Sequence, residues 1–547
     1  MHAWLSRLDR YFPVRYTVWS LSVLLTLGFA VYWWWTGIGD VAAIACAVLV
    51  AVGVRDMLQD QHSILRNYPL IGHLRFLLEF VRPEIRQYFI ESDNEETPFS
   101  RQQRSIVYQR AKAEPDKRPF GTQLDTQAEG YEWINHSLVP TNIPSHDFRV
   151  TIGASKSCTQ PYSASVFNIS AMSFGALSGN AILALNGGAK KGGFAHDTGE
   201  GSISPYHRVH GGDLVWEIAS GYFGCRDERG RFDEQKFAQS ARDGQVRLIE
   251  IKLSQGAKPG HGGVLPGAKV TAEIAATRGV PPGVDCVSPS SHSEFSTPAG
   301  LLQFLERLRQ ASGGKPTGFK FCVGHPWEWF AICKAMLETG ILPDFIVVDG
   351  KEGGTGAAPL EFVDHVGTPL QEGLQLVHNT LVGLNLRDRV RIGCSGKIIS
   401  AFDVARAMAL GADWCNSARG FMFALGCIQA QSCHTGSCPT GITTQSPLRQ
   451  KALVVPDKLE RVYRFHRHTL EALRELTQAA GLMHPNEFSP MHIVRRVSHS
   501  DVRLLANTLP QVEPGALLAA SEGRGPWPHN VFALYWPRAT SRSFAAA

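Results

Sequence analysis

Apolar and polar residues alternate along this chain in two distinct ways. Residues 16–35 carry no charge, and after Thr36-Gly37-Ile38-Gly39-Asp40 a second uncharged run covers 38–54 apart from Asp40. At about 1.5 Å per helical residue each run can cross a hydrocarbon core of roughly 30 Å, the second only just. Further on, short apolar runs of strand type occur at 166–169, 193–195, 248–251, 285–287, 319–321, 345–348, 390–393 and 414–416. Stretches with helical spacing, such as 301–308, 329–337 and 401–410, separate most of them. Eight such alternations predict an α/β fold, a (β/α)8 TIM barrel with an N-terminal transmembrane helical hairpin, its active site on the loops after the strands.

The flanks are less regular. Residues 61–150 mix apolar clusters such as Phe76-Leu77-Leu78 with arginines and with prolines at 69, 83, 98, 115 and 119, which predicts short helices and irregular chain packing on the barrel. The stretch 453–481 reads as a helix, with Leu459, Val462, Leu470, Leu473 and Leu476 on one face and Gly481 as its stop. From about Pro510 the tail is rich in Pro, Gly and Ala, and a partly disordered end is expected. The expected organisation is an anchor at 1–60, an irregular region at 61–150, the barrel at 151–450 and a helical extension with its tail at 451–547.

Charge orients the anchor. Arg7, Arg10 and Arg15 precede the two apolar runs and Arg55 follows them, whereas the turn between carries only Asp40. The positive-inside rule then puts both ends in the cytosol, with Trp33, Trp34 and Trp35 at the far interface. A cleaved signal peptide fits poorly, since the first run is too long and a second follows at once. The expectation is a two-pass inner-membrane protein with a cytosolic catalytic domain. Net charge of +5 with both signs interspersed gives no nucleic-acid signature, and eleven irregularly spaced cysteines argue against a disulfide framework.

Each strand-type run leads into a polar, glycine-rich loop, and two of these carry Ser395-Gly396-Lys397 and Ala418-Arg419-Gly420 after the seventh and eighth runs. Barrels commonly bind phosphate there. Directly beyond lie Cys427, Cys433 and Cys438, with a proline after the last. Three clustered thiolates suit either a zinc ion completed by His434 or an iron–sulfur cluster lacking one iron corner.

Several motifs together resemble one family, the synthase domain of glutamate synthase. They are Met172-Ser173-Phe174-Gly175, Asp197-Thr198-Gly199-Glu200-Gly201, Gln255-Gly256-Ala257-Lys258-Pro259-Gly260, Gly353-Gly354-Thr355-Gly356-Ala357 and the cysteine loop ending Cys438-Pro439. The anchored layout is similar to the stand-alone, large subunit-like branch. The resemblance covers about 150–450 and implies an FMN barrel with a 3Fe–4S cluster on Cys427, Cys433 and Cys438, His434 not being a ligand. Ala171, Met172 and Ser173 would hold the flavin ring, Lys320 its N1/O2 edge, and Gly350, Gly353, Gly354, Gly396, Lys397, Arg419 and Gly420 the rest of the cofactor and its phosphate. The family's usual Gly-Gly pair is Ser395-Gly396 here.

For substrate, the resemblance implies 2-oxoglutarate, condensed with ammonia and reduced by hydride from flavin N5 to L-glutamate. Lys252, Lys258 and Arg278 would meet the dicarboxylate with Met172 and Ser173 nearby, and Glu200, Lys252 and Lys258 would serve catalysis. Three departures stand out. The sequence opens on an anchor where a glutamine amidotransferase would stand, so ammonia is expected from solution or a separate amidotransferase. Val264 and His261 replace the family's glutamine and glutamate around Gly262-Gly263, which keeps another 2-oxo acid or amine open, as in N-methylglutamate synthesis. With no convincing Gly-x-Gly-x-x-Gly site, electrons are expected from a separate donor, a ferredoxin or an NAD(P)H-dependent reductase. A non-catalytic electron-transfer subunit and a zinc-stabilised barrel without flavin are the rival expectations.

Overall fold

The computed structural model describes residues 13–94, 97–153, 155 and 157–546, so Arg7 and Arg10 of the orientation argument lie outside the described residues. The chain forms two compact units, 1–95 and 96–547. In the first, helices α1 (Thr17–Thr36) and α2 (Asp40–Leu58) pack against each other. The Trp19 indole seats against Gly53, where a Cβ would come within 2.1 Å of it, and donates to the Val50 carbonyl at 3.2 Å. Both helices are long and apolar enough to cross a membrane. Their outward side chains, Trp34 and Trp35 among them, are exposed all round, as a lipid-facing pair would be. Two shorter helices follow, α3 (Ser63–Asn67) and α4 (Gly72–Ile85).

The second unit is built on a closed barrel of eight parallel strands. These are β1 (Phe167–Ile169), β2 (His196–Asp197), β3 (Leu214–Ile218), β4 (Val246–Lys252), β5 (Thr317–Phe321), β6 (Phe345–Asp349), β7 (Arg391–Ser395) and β8 (Trp414–Ser417). The count expected from sequence holds, but one member differs. The run 285–287 contributes only Cys286–Val287, which pairs antiparallel with Val264–Leu265 in the excursion between β4 and β5. The missing strand is β3, Leu-Val-Trp-Glu-Ile, which follows a helix of only four residues, Pro205–Arg208, so the alternation of strand and helical stretch is lost there.

An antiparallel hairpin, Arg149–Ile152 with Tyr162–Ser165, plugs the barrel's N-terminal end; Ile152, Tyr162 and Ala164 pack with Leu248, Phe345 and Trp414. Outside the barrel, the expected helix at 453–481 is present as Val455–Ala479. Its Leu459 and Val462 press onto Gly187 and Gly188, where a Cβ would lie only 2.3–2.4 Å from them. The end of the chain differs from the disordered tail that its composition suggests. Phe532 and Trp536 stack on Phe330 at 5.4 and 5.5 Å, and Leu517 is buried against Gly383. A few large apolar anchors outweigh the surrounding Pro and Gly. Replacing the fully packed Phe532 by Ala should destabilise this unit by about 3–5 kcal/mol, read as a lower urea midpoint; an unchanged midpoint would mean that the tail contributes nothing to the fold.

Candidate active site

At the C-terminal mouth of the barrel the structure gathers the nominated residues into four groups, and to one of them, around Lys320, it adds three carboxyl groups that sequence reasoning did not nominate. That group lies deepest. Lys320 on β5 is buried and bonded to Glu217 of β3, with Glu250 of β4 at 3.3 Å and Asp197 of β2 at 4.0 Å. Glu217 and Glu250 are register neighbours, so like charges face each other across adjacent strands. Burial and that repulsion push Glu250 up to about 7, and burial with the Glu250 charge raises Asp197 well above the usual carboxylate range. Burial opposes the charge on Lys320, but the carboxylates around it outweigh burial and keep it protonated.

Above this cluster, Glu200 receives Lys252 at 3.1 Å, and Lys258 and Arg278 add their fields. Burial raises the Glu200 carboxyl, yet these three cations together hold it below its ordinary value. Lys258 is buried and donates to the Gly262 carbonyl at 3.1 Å. A Cβ at 263 would stand 2.4 Å from Glu200 Oε1, so a larger residue there would have to push that carboxylate aside. Arg278 is buried behind the loops: it donates to the Phe174 carbonyl at 2.9 Å and lies over the Phe223 ring at 5.3 Å. Met172 and Ser173 back onto the same pocket, pressed so closely by Gly199 and Gly201 that a Cβ at 199 or 201 would come within 2.7 or 2.8 Å of Ser173. Ala171 precedes them on the same loop.

The third group is cationic. Arg419 and Lys397 both lie over Phe99, at 4.7 and 5.9 Å. Burial lowers Arg419 to about 10, and burial with the Arg419 charge lowers Lys397. Lys397 adopts φ 55°, a left-handed conformation that costs an L-residue about 1–3 kcal/mol. Gly354 abuts the Arg419 guanidinium, with a Cβ there 3.1 Å away, and Gly350 is held to β7 by its N–H to the Ser395 carbonyl at 2.8 Å. Gly353 turns back onto Gly350 at 2.9 Å; Gly396 and Gly420 sit beside Lys397 and Arg419.

The cysteine loop adjoins this group, Gly356 lying against Cys433. Cys427, Cys433 and Cys438 line one small pocket together with Met422, Ile442 and Thr443. The three sulfurs do not all fall within 4.8 Å of one another. His434 is exposed beside them. Burial pushes the Cys427 thiol up to about 12, whereas hydrogen bonds from Thr440 and Thr443 outweigh burial at Cys438 and hold it down to about 7. Lys269 donates to the Cys433 carbonyl at 2.7 Å and Tyr108 to that of Cys427 at 2.5 Å.

The model of the conserved region in glutamate synthase matches residues 137–483, which span the hairpin plug, the barrel, the cysteine loop and the long helix behind them. The chain belongs to the glutamate synthase family. It is 37% identical over 511 residues to the glutamate synthase large subunit-like protein YerD of Bacillus subtilis, covering 86% of this chain and 97% of that one. It is 38% identical over 315 residues to an archaeal NADPH glutamate synthase of Methanocaldococcus jannaschii, covering 57% of this chain and 58% of that one. The match to the NADPH glutamate synthase large chain of Azospirillum brasilense is 33% over 374 residues, 66% of this chain but 23% of that one.

Within this glutamate synthase fold, Asp197, Glu217, Glu250 and Lys269 escaped the sequence reading. A charged residue inside an otherwise apolar strand was the available signal for Glu217 and Glu250. For Lys269 there was none, because its partner Cys433 is remote in sequence. Glu250 yields a pH prediction. Its folded value of about 7 exceeds the ordinary 4.5, so the folded chain binds more protons between these values and loses stability as pH rises through that window. Glu250→Gln keeps the shape without the charge. Its melting temperature should match the parent's below the window and exceed it above, by up to about 3 kcal/mol of stability; no gain at alkaline pH would show that Lys320 already neutralises Glu250.

Proposed function

We propose that this protein is a membrane-anchored glutamate synthase-type oxidoreductase that reductively aminates 2-oxoglutarate to L-glutamate. The observation that carries the reading is the pocket around Glu200: one carboxylate among Lys252, Lys258 and Arg278 leaves an excess of two positive charges, which a dicarboxylate would neutralise. Lys258 and Lys252 bind and orient the two carboxylates, and Arg278, fixed on Phe174 and Phe223, supports them from behind. Glu200, held ionised, is the group to orient incoming ammonia and to take up the proton its nitrogen sheds once it has added to the keto carbon. Met172 and Ser173 close the pocket beside it.

The residues present fit FMN. Lys397 and Arg419 are two mutually repelling cations held on one ring, a donor set that a phosphate would relieve, and the backbone from Ala171 to Ser173 is bare of clashing side chains because residues 199 and 201 are glycines. FMN bound there would supply hydride for the imine. Gly350, Gly353, Gly354, Gly396 and Gly420 leave backbone room for it, and Lys320 would offset negative charge at the ring. Three sulfurs lining one pocket, with His434 exposed beside them, support a 3Fe–4S cluster on Cys427, Cys433 and Cys438 over a four-ligand zinc site. Electrons would then come from a separate donor, a ferredoxin or an NAD(P)H-dependent reductase, and ammonia from solution or a separate amidotransferase. Helices α1 and α2 support a two-pass anchor in the cytoplasmic membrane with the barrel in the cytosol.

One feature favours a second reading. Val264, 39% exposed, directly follows the Gly263 that packs on Glu200 and stands where the resemblance places a glutamine. A different 2-oxo acid, or methylamine in place of ammonia, is the alternative.

Three outcomes test these readings. Purified protein should show flavin absorbance together with the electron paramagnetic resonance of an oxidised three-iron cluster, and Cys433→Ser should remove only the latter; a colourless protein binding zinc would refute both cofactor assignments. Turnover with 2-oxoglutarate should be faster with ammonia than with methylamine, the reverse order establishing the second reading. Lys258→Met should weaken 2-oxoglutarate binding about 10- to 100-fold, whereas Glu200→Gln should leave binding intact and slow turnover by at least about 100-fold; a Glu200→Gln enzyme at full rate would make that carboxylate a structural cap.

A further inference from the structure

Helix α4 and the π-turn after it, Arg86–Ile90, leave an apolar stripe uncovered among the described residues. Leu74, Leu77, Leu78, Ile85 and Tyr88 recur at helical spacing on one side, Leu77 being 56% exposed, and Phe89 at the edge of the stripe is 85% exposed. Arg75, Arg82 and Arg86 flank the stripe, and between 63 and 90 four arginines face two glutamates. Such a combination of a wide apolar face and a basic flank suits the boundary between lipid headgroups and acyl chains, not bulk water.

Two further contacts fix where this helix begins. Asp56 lies within the last turn of α2 and is buried. It accepts the Leu70 N–H at 3.1 Å, and His73 Nε2 lies 2.9 Å from its Oδ2. The start of α4 is thereby clipped to the exit end of the second apolar helix, a few residues before that helix ends. We propose that α4 and Arg86–Ile90 lie flat on the anionic cytosolic leaflet at the foot of the hairpin, the stripe from Leu74 to Phe89 sunk among the lipids and the arginines at the headgroup phosphates. This rests on the proposed membrane-spanning hairpin. The clip sets the depth, since a helix pinned where the span ends has the interface as its surroundings, and the excess of arginine selects anionic lipid.

The test uses the full chain reconstituted in phosphatidylcholine vesicles with and without phosphatidylglycerol. A dansyl amino acid is placed at position 25, 77 or 89, all exposed apolar sites. Position 25, in α1, reports on the hairpin: deep bromine-labelled acyl chains should quench it. Positions 77 and 89 should be quenched by bromines near the headgroups and resist aqueous iodide several-fold better than a dansyl at Glu79. Arg75→Glu with Arg82→Glu should reverse this shielding in vesicles containing phosphatidylglycerol. If 25 is quenched by lipid while 77 and 89 stay open to iodide, the surface helix is refuted and the anchor stands. If 77 and 89 escape both quenchers, protein covers the stripe, a second copy for instance, and the proposal falls. If 77 and 89 are quenched by lipid but 25 is not, the spanning hairpin falls and with it the placement of this helix at the hairpin's foot; if lipid reaches none of the three, both fall.

Discussion

An ammonium and three carboxyl groups share the dry interior of the barrel, and their need to neutralise one another constrains everything above them. Lys320 takes its partners from β2, β3 and β4, so four consecutive strands are tied at one level by charge as well as by their hydrogen-bond ladders. Removing the lysine from such a buried set would leave uncompensated carboxylate charge, a loss of about 3–5 kcal/mol in comparable pairs. The set also positions the pocket. Asp197 Oδ1 accepts the Gly199 N–H at 2.9 Å and so shapes the turn that carries Glu200. Glu250 and Lys252 occupy successive same-face positions of β4, so the strand that anchors the floor also aims Lys252 at Glu200.

Two layers of opposite sign result. The floor holds three acidic groups against one lysine, and the pocket above holds one acidic group against three cations. An anion entering from the mouth is drawn to Lys252 and Lys258 and repelled by the layer beneath them, which keeps a dicarboxylate from reaching Lys320. The proton retained on the floor moderates that repulsion without abolishing it, because Glu217 stays bonded to Lys320.

The legible and the hidden parts of this molecule divide by the range of the interaction. Barrel class, seven of the eight strands, the long helix at 455–479 and the mouth loops were readable because each leaves a local trace, an apolar run, a helical period or a glycine cluster. Strand β3 was hidden because the helix before it, Pro205–Arg208, is too short to leave a helical period in the sequence. The packed tail was hidden because Phe532 and Trp536 find their partner on a helix some two hundred residues earlier. Among the site residues, Glu200, Lys252 and Lys258 came together as their loop positions suggested. Arg278 took a supporting position behind Phe174, since a guanidinium so deep needs a carbonyl and a ring face to replace water.

The excursion between β4 and β5 binds these observations into one site. It carries Lys258, Arg278 and Lys269, so the residues around Glu200 and the contact to the cysteine loop belong to a single stretch of chain. Its own ordering is modest: a pair of two-residue strands, a short helix capped by Thr271, and Gly267 donating to Asp285 at 2.6 Å. What holds it down are its ends and its charges, with Lys258 on Gly262, Arg278 on Phe174 and Lys269 on Cys433. A displacement of the Cys433 backbone must therefore either break the Lys269 bond or be passed along the excursion toward Lys258. The pocket and the cysteine loop, read separately from sequence, are in the fold both held by this one segment, Lys269 reaching Cys433 from between Lys258 and Arg278.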